Sequence, residues 1–219
     1  MAGRCSGVPG RPRLRGPTRA LYCATANGGA AMDVDRPRMS RERILEGAAE
    51  ILDSGRYADL TVDALARSLH MSKSTLYKYF SSKEEVVVAM VDEACGAAEA
   101  EIERTLAGGT ATEQLTELAH IVGRHGQRLP RAVLTQPERL PLPCGQRLAQ
   151  TREAFANAAF LLVERGVERK EFEHPDPRLV AVAFVAAAQA VLADAARSGL
   201  QEYGAKLEYL PGLFLPSIG

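Results

Sequence analysis

The chain has 219 residues, 46% of them hydrophobic, with 27 Lys+Arg against 27 Asp+Glu and no Trp, a composition that suits one or two domains with a buried core. The longest uninterrupted apolar run, Leu179 to Ala188, is ten residues, short of the ~18 that suggest a membrane span. Four cysteines (Cys5, Cys23, Cys95, Cys144) lie far apart with no C-x-x-C pair, and the four histidines form no i, i+4 pair; zinc and disulfide frameworks are not expected, no cofactor is called for, and a reducing cytoplasmic setting fits.

Charge is distributed unevenly. Residues 1–31 carry Arg4, Arg11, Arg13, Arg15 and Arg19 and no acid, which leaves residues 32–219 with a net charge of −5. If such a body binds nucleic acid, it does so through a local basic face. The first residues are rich in Gly, Pro, Arg and Ala without periodicity, and 1–37 is predicted to be a disordered basic tail. Two other readings stand beside it: an arm that touches phosphates, and an extension upstream of synthesis beginning at Met32 or Met39. A secretory signal is disfavoured because Thr25, Asn27 and two glycines interrupt the apolar stretch 20–31.

From Ser40 the pattern becomes helical. Ser40 is placed to cap a first helix whose apolar positions Ile44, Ala48, Ile51 and Leu52 share one face, with Gly55 as a left-handed stop. Thr61 caps a short second helix, with Asp63 near its positive end and Val62, Leu65, Ala66 and Leu69 on one stripe. After a turn at His70 and Met71, Ser72 caps a third helix, and Met71 is set to staple against Leu76. Ser82 and Glu85 form a capping box for a long fourth helix towards Leu106, ended by Gly108 and Gly109. Gly96 within it is either a bending point or a site of close packing.

Residues 110–219 also read as helix. Thr110 and Glu113 make a capping box for a helix closed by Pro130; Pro130, Pro137, Pro141 and Pro143 then break the chain into turns. A helix from about Gln146 to Gly166 follows. Asp176 and Pro177 open another to about Ser198, and a last helix spans Leu200 to Leu210 and stops at Pro211. The fold class is all-α.

Two short capped helices joined by a tight turn meet the requirement for a helix-turn-helix reader of the major groove. Between Ala64 and Lys83 stand Arg67, Lys73, Lys78 and Lys83 and no acid, as a phosphate-facing surface requires. The stretches RILEGAAEIL and TVDALARSLHMSKSTLYKYFSSKEEV resemble the N-terminal domain of the TetR family of transcriptional regulators over Met39 to Ala94. The pattern departs at His70, where the family usually has Gly, and at Ser74, where many members have Gly or Ala; His tolerates a left-handed turn at some strain.

The resemblance implies an N-terminal three-helix helix-turn-helix DNA-binding domain, 38–95, and a C-terminal helical ligand-sensing and dimerisation domain, 96–219. The helix from Ser72 is the candidate recognition helix. Lys73 is assigned to guanine O6 and N7, Ser74 and Thr75 to base edges or the thymine methyl, and Tyr77 and Tyr79 to phosphate, with Lys78 on the free face. Thr61 and Lys83 are implied by the resemblance to hold the backbone at helix N-termini, and Arg41, Val62 and Ser72 complete the set. Phe80 reads as packing, and Tyr77 as serving both packing and contact.

One such unit reads few base pairs, so a twofold dimer on a near-palindromic operator is expected. Helix 177–198, apolar nearly all round, and the C-terminal helix with Leu207, Leu210 and Phe214 are the candidate dimer surface. The resemblance further implies that residues 96–219 enclose a small-molecule effector. His120, Arg124, Phe155 and Gln189 are the candidate pocket residues, with His125, Arg128 and Phe160 nearby on apolar faces. The expected function is a transcriptional regulator, a repressor released by its ligand. A helical ligand-binding or interaction module that no longer grips an operator is the alternative. No G-x-S-x-G, H-E-x-x-H, P-loop or reactive-Cys signature supports an enzyme.

Overall fold

The computed structural model describes residues 36–172, 176–198, 207 and 210–214. The expectations for the tail 1–31 and for most of a helix over Leu200 to Leu210 lie outside these residues, as does the side chain of Phe214. The described residues are helical without strands. In chain order they form α1 (Arg36–Ser54), a 3-10 turn (Tyr57–Asp59), α2 (Val62–Ser68), α3 (Lys73–Leu76), α4 (Lys83–Thr105), α5 (Ala111–Arg128), α6 (Arg131–Thr135), a second 3-10 turn (Pro137–Arg139), α7 (Leu142–Glu168), α8 (Pro177–Ser198) and α9 (Leu210–Phe214).

Caps set most of the boundaries. Thr61 accepts from the Ala64 amide at 3.0 Å, Ser72 from that of Thr75 at 3.1 Å, and Asp176 from those of Arg178 and Leu179 at 3.0 and 3.1 Å. Each satisfies donors that a helix start leaves open, worth about 1 kcal/mol per cap. The Thr110–Glu113 box is reciprocal. At Ser82 only half a box forms. Its hydroxyl accepts from the Glu85 amide, but the Glu85 carboxylate reaches one residue further back, to the amide and hydroxyl of Ser81, both at 2.6 Å.

Other boundaries differ from expectation. The first helix begins at Arg36 and runs through Ser40, so Ser40 is an interior residue and not a cap. Gly55 does not adopt a left-handed conformation. It is fitted instead to close approach, since a Cβ there would lie 2.8 Å from Asp59 Oδ2 and 3.1 Å from the Ile51 carbonyl oxygen. α7 starts at Leu142, about a turn before Gln146, because Pro143 falls in its first turn, where no amide is needed. Pro211 likewise sits in the first turn of α9 rather than ending a helix. α4 passes unbroken through Gly96, and a Cβ there would meet nothing within 4 Å, so close packing is not its role.

Two apolar clusters organise the packing. The first joins α1 to α4 through Ile44, Leu52, Leu65, Leu76, Phe80, Val86 and Val91, and recruits Leu129, Ala132, Val133 and Cys144 from later in the chain. The second joins the C-terminal half of α4 (Ala98, Ile102) to α5, α7 and α8 around Leu118, Phe155, Leu162 and Phe184. α4 therefore belongs to both cores, and α7 packs on α4, α5 and α8.

α8 alone among the described residues is long and apolar enough by length and composition to cross a membrane. Its Val180, Phe184, Ala188 and Leu192 are buried in the second cluster, so it serves here as a core helix. Its outer face leaves Leu179 and Val182 exposed, at 63% and 53%, and Leu161 of α7 is exposed as well.

Candidate nucleic-acid interface and ligand cavity

The α2–turn–α3 unit is built to hold one surface outward. Leu65, Leu76 and Phe80 are buried, while Ser72, Lys73, Ser74, Tyr77 and Lys78 are exposed and Thr75 and Tyr79 half-buried. His70 takes φ +53°, the left-handed geometry that the turn demands of a residue usually disfavoured there. Regular α-helix after the turn lasts only from Lys73 to Leu76. Beyond it, Lys78 and Tyr79 donate three residues back and Phe80 four back to the Leu76 carbonyl. The segment tightens as it ends, and Phe80 is carried into the core.

The expected DNA-binding residues have distinct surroundings. Ser72 Oγ caps the helix and lies 2.8 Å from both Ser74 Oγ and Thr75 Oγ1, so three hydroxyls form one patch of donors and acceptors. Lys73 is not free: it pairs with Asp63 of α2, which raises its pKa through that hydrogen bond. Arg41 pairs with Glu93 of α4 and lies over the Phe80 ring at 5.4 Å, so it ties α1, α4 and the end of the recognition segment together. Lys83, at the start of α4, lies over the Tyr57 ring at 4.8 Å. Thr61 is committed to its cap, and Val62 is half-buried beside it. Tyr77, 53% exposed, is the large aromatic that the core leaves outside, whereas Tyr79 packs against the first cluster.

A cavity of about 300 Å³ lies between α5, α6, α7 and α8. Phe155 and Gln189 line it, together with His125, Thr151 and Arg152. His120 and Arg124 do not. They belong to an ionic cluster over α4 and α5, in which Arg124 donates to Glu101 at 2.9 Å and Glu117 at 2.6 Å, and Arg128 to Glu101 at 2.6 Å. Helical spacing places these residues near an apolar face, but the carboxylates they pair with, Glu117 of α5 itself and Glu101 of α4, are not part of the cavity lining. Phe160 packs half-buried against the second core.

The cavity wall is joined to α4. Thr151 donates to Glu99 Oε1 at 3.0 Å, and Arg147 reaches Glu99 Oε2 at 2.8 Å and Asp92 at 2.8 Å. The Arg147 hydrogen bonds hold the Glu99 carboxyl below the usual carboxylate range. Burial pushes the pKa of His125 down, and the neighbouring Ala94 backbone opposes that without prevailing. Cys95 and Cys144 are buried thiols, the latter pushed up to about 11 by burial, and are poor nucleophiles as a result. Charge at positions 63, 92, 99 and 101 was visible in the sequence. Which lysine or arginine each carboxylate meets depends on how the helices pack.

A capped two-helix reader with an exposed polar and basic face, followed by a helical body, defines a helix-turn-helix protein with a C-terminal helical domain. Residues 44–90 match the family model of bacterial regulatory proteins, tetR family. The transcriptional repressor KstR of Mycolicibacterium smegmatis is 32% identical over 94 residues, covering 42% of this chain and 46% of that protein. The chain thus spans about half the length of this curated relative. In fold, it resembles the regulator PfmR from Thermus thermophilus (TM-score 0.68, 24% identity, 81% of this chain and 99% of that one). It also resembles FadR from Bacillus subtilis, solved in complex with stearoyl-CoA (TM-score 0.66, 18% identity, 81% and 99% covered).

Proposed function

We propose that the protein is a dimeric DNA-binding transcriptional repressor that leaves its operator when a small molecule occupies the cavity between α5, α6, α7 and α8. The observation that carries this reading is the recognition segment itself. Leu76 and Phe80 anchor it at 2% and 3% exposure, while its hydroxyl patch, Tyr77 and Lys78 face outward. In this division 38–95 reads DNA and 96–219 senses and dimerises.

Ser74 and Thr75 address base edges, Tyr77 and Lys78 address phosphate, and the α4 N-terminus with Lys83 holds the backbone. Lys73 reaches a guanine only by leaving Asp63. Arg41 acts as a strut between helices.

Dimerisation uses the exposed face of α8 with α7. Leu207 and Leu210, expected to meet a partner, are buried in the protomer's own core, so within α9 the exposed Leu213 is left for that role, alongside Leu161 of α7. Coupling runs through α4, whose Ala94 and Glu99 touch the cavity wall and whose Val86 and Met90 share a core with Leu76 and Phe80. A hundredfold fall in operator affinity requires about 2.7 kcal/mol of differential ligand binding between the two states.

The test is selection of fragments of the source genome by the purified chain, followed by a salt titration on the fragments retained. A dimer making six or more phosphate contacts loses about a thousandfold in affinity between 50 and 200 mM salt. No retained fragment, or a flat salt response, rejects the reading and leaves a ligand-binding module.

A further inference from the structure

Lys83 is the first residue of α4, where the helix presents the positive end of its dipole and a cation is disfavoured. Among the described residues it makes no ion pair to offset this. Its ammonium lies instead over the ring of Tyr57, 4.8 Å from the centroid, a distance at which the face of an aromatic ring attracts a cation. Lys73 is held in the opposite way, by the carboxylate of Asp63. A carboxylate neutralises the cation it holds and repels a duplex. A neutral ring holds the cation and leaves its charge intact.

The ring stands on a fixed platform. Tyr57 opens the first 3-10 turn and is half-buried against the first apolar cluster. Its carbonyl accepts from the Leu60 amide at 3.3 Å. Around it, the Asp59 amide donates to the Arg56 carbonyl at 2.9 Å, and the Arg56 amide donates to Asp59 Oδ2 at 2.7 Å. Burial, with Glu84 and Cys144 adding to it, raises the Tyr57 hydroxyl above its ordinary pKa of 10, so the ring beneath the lysine is a neutral phenol.

We propose that Tyr57 is a positioning residue for DNA binding, whose ring pre-orders the Lys83 ammonium at the start of α4 for a backbone phosphate. The proposal rests on the reading of Lys83 as a phosphate contact and adds the residue that sets its geometry. A free lysine gives up rotamer freedom when it meets a phosphate, and one already laid on a ring has given up part of it beforehand. The ammonium carries three donors, and Lys83 is only half-buried, so a phosphate binds it without displacing the ring.

Fluorescence anisotropy of the full chain with a mixed-sequence duplex of about 30 base pairs at low salt tests this, because non-specific binding is carried by phosphate contacts and needs no operator. Tyr57→Leu should weaken binding about five- to thirtyfold in a dimer, which loses one ring contact in each protomer. Tyr57→Phe keeps the ring and should bind as the unaltered protein does. In a Lys83→Met background, Tyr57→Leu should have no further effect, which separates action through the lysine from a general loss of structure. Tyr57→Phe as weak as Tyr57→Leu, or an undiminished effect in the Lys83→Met background, overturns the proposal and leaves Lys83 a phosphate contact. No loss of affinity in Lys83→Met overturns the reading of Lys83 as well. If Tyr57→Leu does not fold, the Hε protons of Lys83 in the unaltered protein decide. An upfield displacement from those of the other lysines is expected from the ring beneath, and its absence overturns the proposal.

Discussion

Lys73 illustrates how a single neighbour changes what a residue can do. Its position two residues past the turn is suited to a base contact, yet its ammonium is engaged by Asp63 across the α2–α3 corner. Both side chains are more than half exposed, so the pair adds little to stability. Its effect is on recognition: a phosphate or guanine must compete with a carboxylate that also repels the duplex. Asp63→Asn is therefore expected to raise affinity for all duplexes and to steepen the dependence of log K on log salt by about one unit, as one more cation becomes available. Filter binding or fluorescence anisotropy from 50 to 200 mM salt measures this. An unchanged slope would show that Lys73 does not reach the backbone. His70 was readable at the same scale through the resemblance, which puts it where a Gly usually stands, and it takes the left-handed conformation expected there.

Among the elements, α3 depends most on its cap. It has only four residues, Lys73–Leu76, of regular helix, far below the length at which a helix is stable by itself. Ser72 both caps it and fixes the hydroxyls of Ser74 and Thr75. Ser72→Ala should cost about 1 kcal/mol of stability. It should also speed amide exchange in 73–80 ahead of the rest of the chain and weaken operator binding, with α4 unaffected. Uniform acceleration across all helices would argue against a local role. The half-formed box at Ser82 was not legible, because the sequence shows Glu85 three residues after Ser82 and four after Ser81, and only the geometry decides which one the carboxylate meets.

For the molecule as a whole, the outer face of α8 and the acid response can both be tested. Val182→Glu places a charge in the middle of that apolar face. It should convert the protein to monomers in sedimentation equilibrium and abolish operator binding, while circular dichroism stays helical because Val182 is not part of either core. The acid response should have two phases. His125 has a lowered folded-state pKa, so as pH falls through the ordinary value of 6.5 the unfolded chain takes up a proton that the folded one refuses, and stability falls. Glu99 and Glu117 are also lowered, chiefly by hydrogen bonds from Arg147 and Arg124. Burial pushes Glu101 upward, but Arg128 and Arg124 outweigh it. The stability these carboxylates contribute is intact above about 4.5 and is lost as pH falls below it through their folded-state values. Urea titrations from pH 8 to 3 should show both declines, and His125→Phe should remove the first and keep the second.

Periodicity and local chemistry in the sequence determined the helices, the caps at Thr61, Ser72, Thr110 and Asp176, and the helix-turn-helix unit, because each depends on residues within a few positions of one another. The tertiary structure alone decided the rest: that Leu207 and Leu210 face inward, that Lys73 meets Asp63 and Arg41 meets Glu93, and that the cavity gathers His125, Phe155 and Gln189 but not His120 or Arg124. These are relations between helices brought together from distant parts of the chain. A helical period states which residues share a face but not which neighbour covers it.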